Sequence, residues 1–210
     1  MFLHKDGIEM KKVIIIGASG HGKVIADIVE KSGDVVEGFL DDDVSLGQTF
    51  MGYPILGTVS LYGDYTEDSF IIAIGNASAR ERIYHKLKGV DWYTAIHPNA
   101  ILERNVSVGE GSAIMAGAVV NPDTTIGVCG IVNTCASVDH DNVLGDFVHV
   151  SVGSHLAGTV HVGNRTWIGI GAVVSNNVEI CGDCVIGAGA VVVKDIAEAG
   201  TYVGVPARKQ

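Results

Sequence analysis

Taking every sixth residue from position 96 gives Ile96, Leu102, Val108, Ile114, Val120, Ile126, Val132, Val138 and Leu144, then Val150, Leu156, Val162, Ile168, Val174, Ile180, Ile186 and Val192. All 17 positions are Ile, Leu or Val, with no insertion or deletion between them. A small residue stands four places after most of them, as at Ala100, Ser112, Ala118, Thr124, Gly130, Ala136, Ser154, Thr166, Ala172, Cys184 and Ala190. A period of six fits neither the 3.6 of a helix nor the alternation of a strand. It is the hexapeptide period of a parallel β-helix. Three hexapeptides close one triangular coil, so residues 18 apart stack at strand spacing, about 4.8 Å. The aliphatic column fills the prism, the small column fits its corners, and residues 96–192 form a rod about 26 Å long.

Working outward, residues 194–210 leave the period and carry Gly204-Val205-Pro206-Ala207. An open coil edge invites further pairing, so this tail is expected to cap the solenoid. Upstream, residues 12–16 read as a buried parallel strand, followed by Gly17-Ala18-Ser19-Gly20-His21-Gly22 and a helix to about Lys31 with Val24, Ile25, Ile28 and Val29 on its apolar stripe. Gly33 stops that helix, and residues 35–40 form a second strand ending in Asp41-Asp42-Asp43. Further strands are expected over 70–74 and 91–96, with a short one near Pro54-Ile55-Leu56-Gly57 and a helix over 77–87. Strands alternating with helices give a small parallel α/β domain of Rossmann-like type. The organisation is thus a leader over 1–9 to which no role is assigned, an α/β domain over 10–95, a β-helix over 96–193 and a cap over 194–210.

The 210 residues carry a net charge of -10 and 47% hydrophobic residues. That balance argues against nucleic acid or an anionic membrane as partner. No run approaches the roughly 20 apolar residues of a membrane span, and no secretory signal precedes the first strand, so the chain reads as cytoplasmic. Cys181 and Cys184 form a CxxC, but Cys184 fills a small-residue slot and no second CxxC completes a zinc site. Neither a metal nor a disulfide is expected.

Ligands of open α/β sheets bind at the carboxyl ends of strands. Gly17, Ser19, Gly20, His21 and Gly22, with Asp41, Asp42 and Asn76, all follow strand ends and are the candidate substrate-binding set. Their glycine turn opens a helix, where free N–H groups make an anion site. The pattern is GxxGxG rather than GxGxxG, which weakens a dinucleotide reading, while Asp41 stands close to the spacing of a ribose-binding acid. Arg80 could add a cation to this rim, or be a solvated helix charge.

Within the repeat only Arg104 and Arg165 are basic, yet five of the eight histidines lie there. His140 is flanked by Asp139 and Asp141 and stands two residues past interior Val138, facing outward. A carboxylate beside an imidazole fixes its tautomer and raises its basicity, as a general base requires. Either aspartate could play that part. His149 is expected to stack against Trp167, 18 residues on, while His155 and His161 fall on other faces. That spread opposes a metal site within one chain, though symmetry between subunits could unite different faces. His97 and His155 read as plain surface.

These stretches resemble the bacterial hexapeptide acyltransferases of the sialic-acid O-acetyltransferase and UDP-4-amino-sugar N-acetyltransferase type, the latter from the bacillosamine pathway. The likeness rests on residues 16–22, Phe39-Leu40-Asp41-Asp42, Ala73-Ile74-Gly75-Asn76, Asn133-Thr134, residues 138–141, residues 149–153 and residues 204–207. It implies a left-handed β-helix, a homotrimer, acetyl-CoA held between neighbouring β-helices, and a UDP-4-amino sugar held by the N-terminal domain. By resemblance the base is His140, its carboxylate Asp141 and a polar partner Asn133. The acetyl-CoA contacts fall on His149, Gly158, Ile170, Ala188 and Pro206. The family members carry glutamates where this chain has Asp139 and Asp141. The expected activity is direct N-acetylation of a nucleotide-linked 4-amino-4,6-dideoxy sugar. O-acetylation of sialic acid and a non-catalytic nucleotide-sugar-binding solenoid are the alternatives.

Overall fold

The computed structural model describes residues 10–210 except 44 and 46, so the leader lies outside the described residues. The chain forms two compact units, one ending at Pro98 and one spanning Asn99–Gln210.

In the first unit the strands are β1 (Lys12–Ile16), β2 (Val35–Leu40), β3 (Thr49–Phe50), β4 (Tyr53–Gly57), β5 (Ser69–Ile72), β6 (Asp91–Trp92) and β7 (Ala95–Ile96). Helix α1 (Gly20–Lys31) follows β1 and α2 (Ala77–Lys86) follows β5. The sheet order is β3-β4-β2-β1-β5-β6, parallel except for the β3–β4 hairpin at its edge. Central β1 is covered on both faces, which is why its sequence is continuously aliphatic: Val13, Ile14, Ile15 and Ile16 are fully buried. Ile25, Ile28 and Val29 of α1 pack into this core, but Val24 is exposed because the buried stripe is narrower than its apolar sequence. The strand expected over 70–74 runs instead over β5. The one expected over 91–96 breaks into β6 and β7, and α2 ends one residue before Leu87.

The second unit is a stack of very short strands on three faces. From Ile101 to Val192 the strands within this unit pair in parallel with an 18-residue register. On one face Ile114, Val132, Val150, Ile168 and Ile186 lie in a column, and the other two hold Val120, Val138, Leu156 and Val174, and Ile126, Leu144, Val162 and Ile180. From Ile114 to Val192 these interior residues are at most 2% exposed. Leu102 and Val108 are only half-buried because they belong to the first coil of this unit, and Ile96 is exposed. Hydroxyls in the small-residue column, those of Ser112, Thr124, Ser154 and Thr166, donate to carbonyls 15 residues on and stitch coil to coil.

The corners follow a second rule. From Leu102 to Ile186, the third residue after each interior position takes a left-handed backbone, whether glycine, as at Gly153 and Gly171, or not, as at Asn105, Asp123, Asp141, Asn177 and Asp183. Asn and Asp tolerate that conformation better than most residues. At the C-terminal end Gly200–Val203 pairs in parallel with Cys184–Ile186 and Arg208–Lys209 returns antiparallel, so the tail extends one face of the prism.

Candidate active site

Residues 139–142 form one corner of the prism, between the strands Ser137–Val138 and Val143–Leu144. His140 stands at its tip and Asp141 takes the left-handed position, φ 58°. This turn puts the two side chains edge to edge, with His140 Nδ1 2.7 Å from Asp141 Oδ2. Asp139 does a different job: its Oδ1 accepts the His140 backbone N–H at 2.8 Å and the Asn121 Nδ2–H at 2.7 Å. The sequence left the orienting carboxylate open between the two aspartates; the geometry gives Asp141 the ring and Asp139 the backbone. With Nδ1–H donated to Asp141, Nε2 is the nitrogen left to accept a proton. The hydrogen bond to Asp141, aided by the Asp139 charge, raises the His140 pKa above the usual imidazole value, although the ring is exposed.

If His140 is the catalytic base it works in its unprotonated form, and the acid limb of kcat/KM should then lie above the ordinary imidazole value of about 6.5. Asp141→Asn keeps a residue that tolerates the left-handed backbone and removes the charge. The His140 pKa should then fall and the acid limb move to lower pH, with a lower plateau from the weaker base. A pH–rate profile of the two proteins reads this directly.

Asn142, absent from the sequence-based candidates, holds the corner from inside. It is fully buried, and its Nδ2 donates toward Asp139 O at 2.6 Å, His140 O at 3.2 Å and Ala157 O at 3.0 Å. A signal existed: Asn142 is the one amide in the column that otherwise holds Ala, Ser, Thr, Gly, Val and Cys.

The remaining candidates divide between two edges of the prism. Asn133 opens the corner after Ile131–Val132, a different edge from His140, and its Nδ2 lies 3.2 Å from His149 Nε2. Trp167 stacks on His149 as expected, with centroids 5.9 Å apart and planes 8° from parallel, and its indole N–H donates to Ser151 Oγ at 2.6 Å. Ile170 and Ala188 are exposed on that same edge, joined by a Gly189 N–H to Ile170 O hydrogen bond of 2.8 Å. Gly158 instead lies under His140, one coil on, and Pro206 is exposed in the tail. His155 is exposed as expected, but His97 is buried at 8%, so its reading as plain surface is corrected.

On the N-terminal unit the strand-end residues do share one rim, and several already have backbone partners. Asp41 Oδ2 accepts the Ala18 N–H at 2.7 Å, Asp42 Oδ1 accepts the Val59 N–H, and Asn76 Oδ1 caps α2 through the Ala79 N–H. Ser19 precedes α1 without a side-chain cap. Gly22 is needed for packing, since a Cβ there would stand 2.3 Å from Gly17 O. Arg80 is neither a rim cation nor a solvated charge. It is buried, and its guanidinium donates to Ile74 O and Gly75 O, fixing the end of β5.

His21 Nε2 is buried without a hydrogen-bond partner among the described residues. Burial, with the Arg80 charge second, lowers its pKa to about 4, so at neutral pH it is a neutral ring rather than a cation. Between pH 6.5 and 4 the unfolded chain binds a proton here that the folded chain refuses. Stability is therefore complete above about pH 6.5 and declines as pH falls toward 4, by about 3 kcal/mol at most. Urea midpoints across this range should show the slope, and His21→Gln should flatten it.

All four cysteines are free, with Cys181 Sγ 3.4 Å from Cys184 Sγ. Among the described residues no three His, Cys, Asp or Glu side chains gather as a metal site, and no helix is long and apolar enough to cross a membrane.

The PglD N-terminal domain family matches residues 12–87. UDP-N-acetylbacillosamine N-acetyltransferase of Bacillus subtilis is 36% identical over 114 residues, 51% of this chain and 52% of that protein, so the match spans about half the length of the curated relative. The acetyltransferase domain of PglB from Neisseria gonorrhoeae superimposes with a TM-score of 0.91 at 36% identity, covering 95% of this chain and all of that one; it is also known in complex with acetyl coenzyme A. Perosamine N-acetyltransferase from Caulobacter crescentus, in complex with CoA and GDP-perosamine, gives 0.91 at 36% identity over 96% and 98% of the two chains. The α/β unit and left-handed parallel β-helix are those of the PglB-type and perosamine acetyltransferases, and the chain belongs to this family of sugar N-acetyltransferases.

Proposed function

We propose that this chain transfers the acetyl group of acetyl-CoA to the amine of a nucleotide-linked 4-amino-4,6-dideoxy sugar, with a UDP sugar as the preferred acceptor. The observation that carries the reading is the His140–Asp141 pair at 2.7 Å on an exposed corner, its imidazole pKa raised. The relatives that act on UDP-linked and GDP-linked amino sugars support the acceptor class.

The chemistry is direct transfer. The sugar amine, unprotonated, attacks the thioester carbonyl while His140 Nε2 takes the proton it sheds. Asp141 stabilises the imidazolium, and backbone N–H groups or His149 stabilise the oxyanion. Collapse of the tetrahedral intermediate breaks the C–S bond, and the imidazolium returns its proton to the departing CoA sulfur. His140 lies on one prism edge, and Asn133, His149, Ile170 and Ala188 on another. A second copy laid alongside would place the two edges against each other, which supports a homotrimer with acetyl-CoA in each cleft. Gly17, Ser19, Gly20, His21, Gly22, Asp41, Asp42 and Asn76 form the nucleotide rim in this reading, and Pro206 adds to the CoA contacts.

The test is thiol release from acetyl-CoA with three acceptors: UDP-4-amino-4,6-dideoxy-GlcNAc, a GDP-4-amino sugar and sialic acid. Turnover of the UDP amine, absent with sialic acid, is the expected result. Turnover of sialic acid alone would move the reaction to O-acetylation, and none with any acceptor would reject the transferase reading.

A further inference from the structure

We propose that Gly158 is a positioning residue for His140: its bare backbone is the shelf on which the imidazole lies. A Cβ built at Gly158 would stand 2.5 Å from His140 Cε1, 2.6 Å from Nε2 and 3.2 Å from Cδ2. The first two are distances that real Cβ atoms essentially never show, so the ring occupies the space that a side chain at 158 would fill. The register is fixed by the Thr159 N–H to His140 O hydrogen bond of 2.9 Å and the Asn177 N–H to Gly158 O bond of 3.1 Å. Gly158 itself is buried.

Backbone strain does not account for this glycine. The corner glycines Gly153, Gly171 and Gly189 have φ of 60°, 64° and 65° and open space where a Cβ would go, so they serve conformation. Gly158 is the reverse, outside the left-handed region and short of room. A Cβ at Gly145, Gly163 or Gly169 would meet backbone or an asparagine amide, whereas one at Gly158 would meet an imidazole. The obstacle is also movable, since half of the His140 side chain is exposed and the ring can swing out. Gly158→Ala should therefore leave the fold intact and push the ring off its shelf, breaking the 2.7 Å bond to Asp141. A misplacement of about 1 Å at a reacting centre can cost about 100-fold in rate.

This inference rests on the reading of His140 as the base, but its test need not. Histidine-labelled protein without substrate, with the His140 signal assigned by its loss in His140→Gln, reports the ring's titration by NMR. In Gly158→Ala the His140 pKa should fall toward the ordinary value, and kcat should drop about 10- to 100-fold. An unchanged titration with a raised KM for acetyl-CoA would overturn the shelf and leave Gly158 as a cofactor contact only. A shifted titration in a protein that turns over no acceptor would keep the shelf and reject the enzymatic reading. Thermal melts close the remaining gap. Any loss of Tm caused by Gly158→Ala should vanish in a His140→Ala background, because the clash has gone. Equal losses in both backgrounds would overturn the proposal.

Discussion

His140→Ala is expected to lower kcat about 100- to 10,000-fold with little change in Tm. The factor is that of a positioned general base. The small stability effect follows from exposure: the side chain is 55% exposed, and the corner beneath it is held by Asn142 and by Asp139 rather than by the ring. The residual rate should no longer show the acid limb that Asp141 displaces. Thiol release with the UDP-4-amino sugar, read beside a thermal melt, separates the two effects. A variant that lost activity and Tm together would mean that the imidazole is structural.

Ile168→Ala is expected to do the opposite, costing about 2–5 kcal/mol of stability. Ile168 is fully buried and stacked between Val150 and Ile186 at the 18-residue register. Truncation leaves a void between two coils that cannot close, because strand spacing fixes their separation. For a unit of this size the Tm should fall by about 10 °C or more. Val173→Ala is the matching control. It lies at the outward position of the same β-helix, 39% exposed, and should cost about 0.5 kcal/mol or less. The contrast between the two melts would measure how much of the solenoid's stability resides in its aliphatic column.

That column was also what made the fold legible. The six-residue period depends only on side-chain class, so Ile, Leu and Val at a fixed spacing declared the coils. The covered strand Val13-Ile14-Ile15-Ile16 did the same for the α/β unit. His140 and its aspartates stood out because charged residues are rare in such a repeat. What sequence could not supply were contacts between residues brought together by the coil itself. The split of labour between Asp139 and Asp141 depends on a left-handed turn. The burial of Arg80 against Ile74 O and Gly75 O depends on where a strand ends. The burial of His97 and the exposure of Val24 turn on neighbours that no local pattern names. Gly158 entered the candidate set through the family resemblance, as a CoA contact, and no string of letters shows the imidazole that lies over it from 18 residues away.

The left-handed corner positions have a consequence for how such a molecule can change. Each corner offers an outward tip followed by a site where Asp or Asn sits comfortably, and the offer is renewed at every coil. The edge that carries His140 and Asp141 continues as Gly158 and Thr159, then Asn176 and Asn177. The solenoid is in this sense a ruler, graduated in steps of about 4.8 Å along one edge. A dyad could be slid along it in jumps of 18 residues to meet a longer or shorter acceptor, provided that the buried amide at its corner and the bare glycine one coil on moved with it.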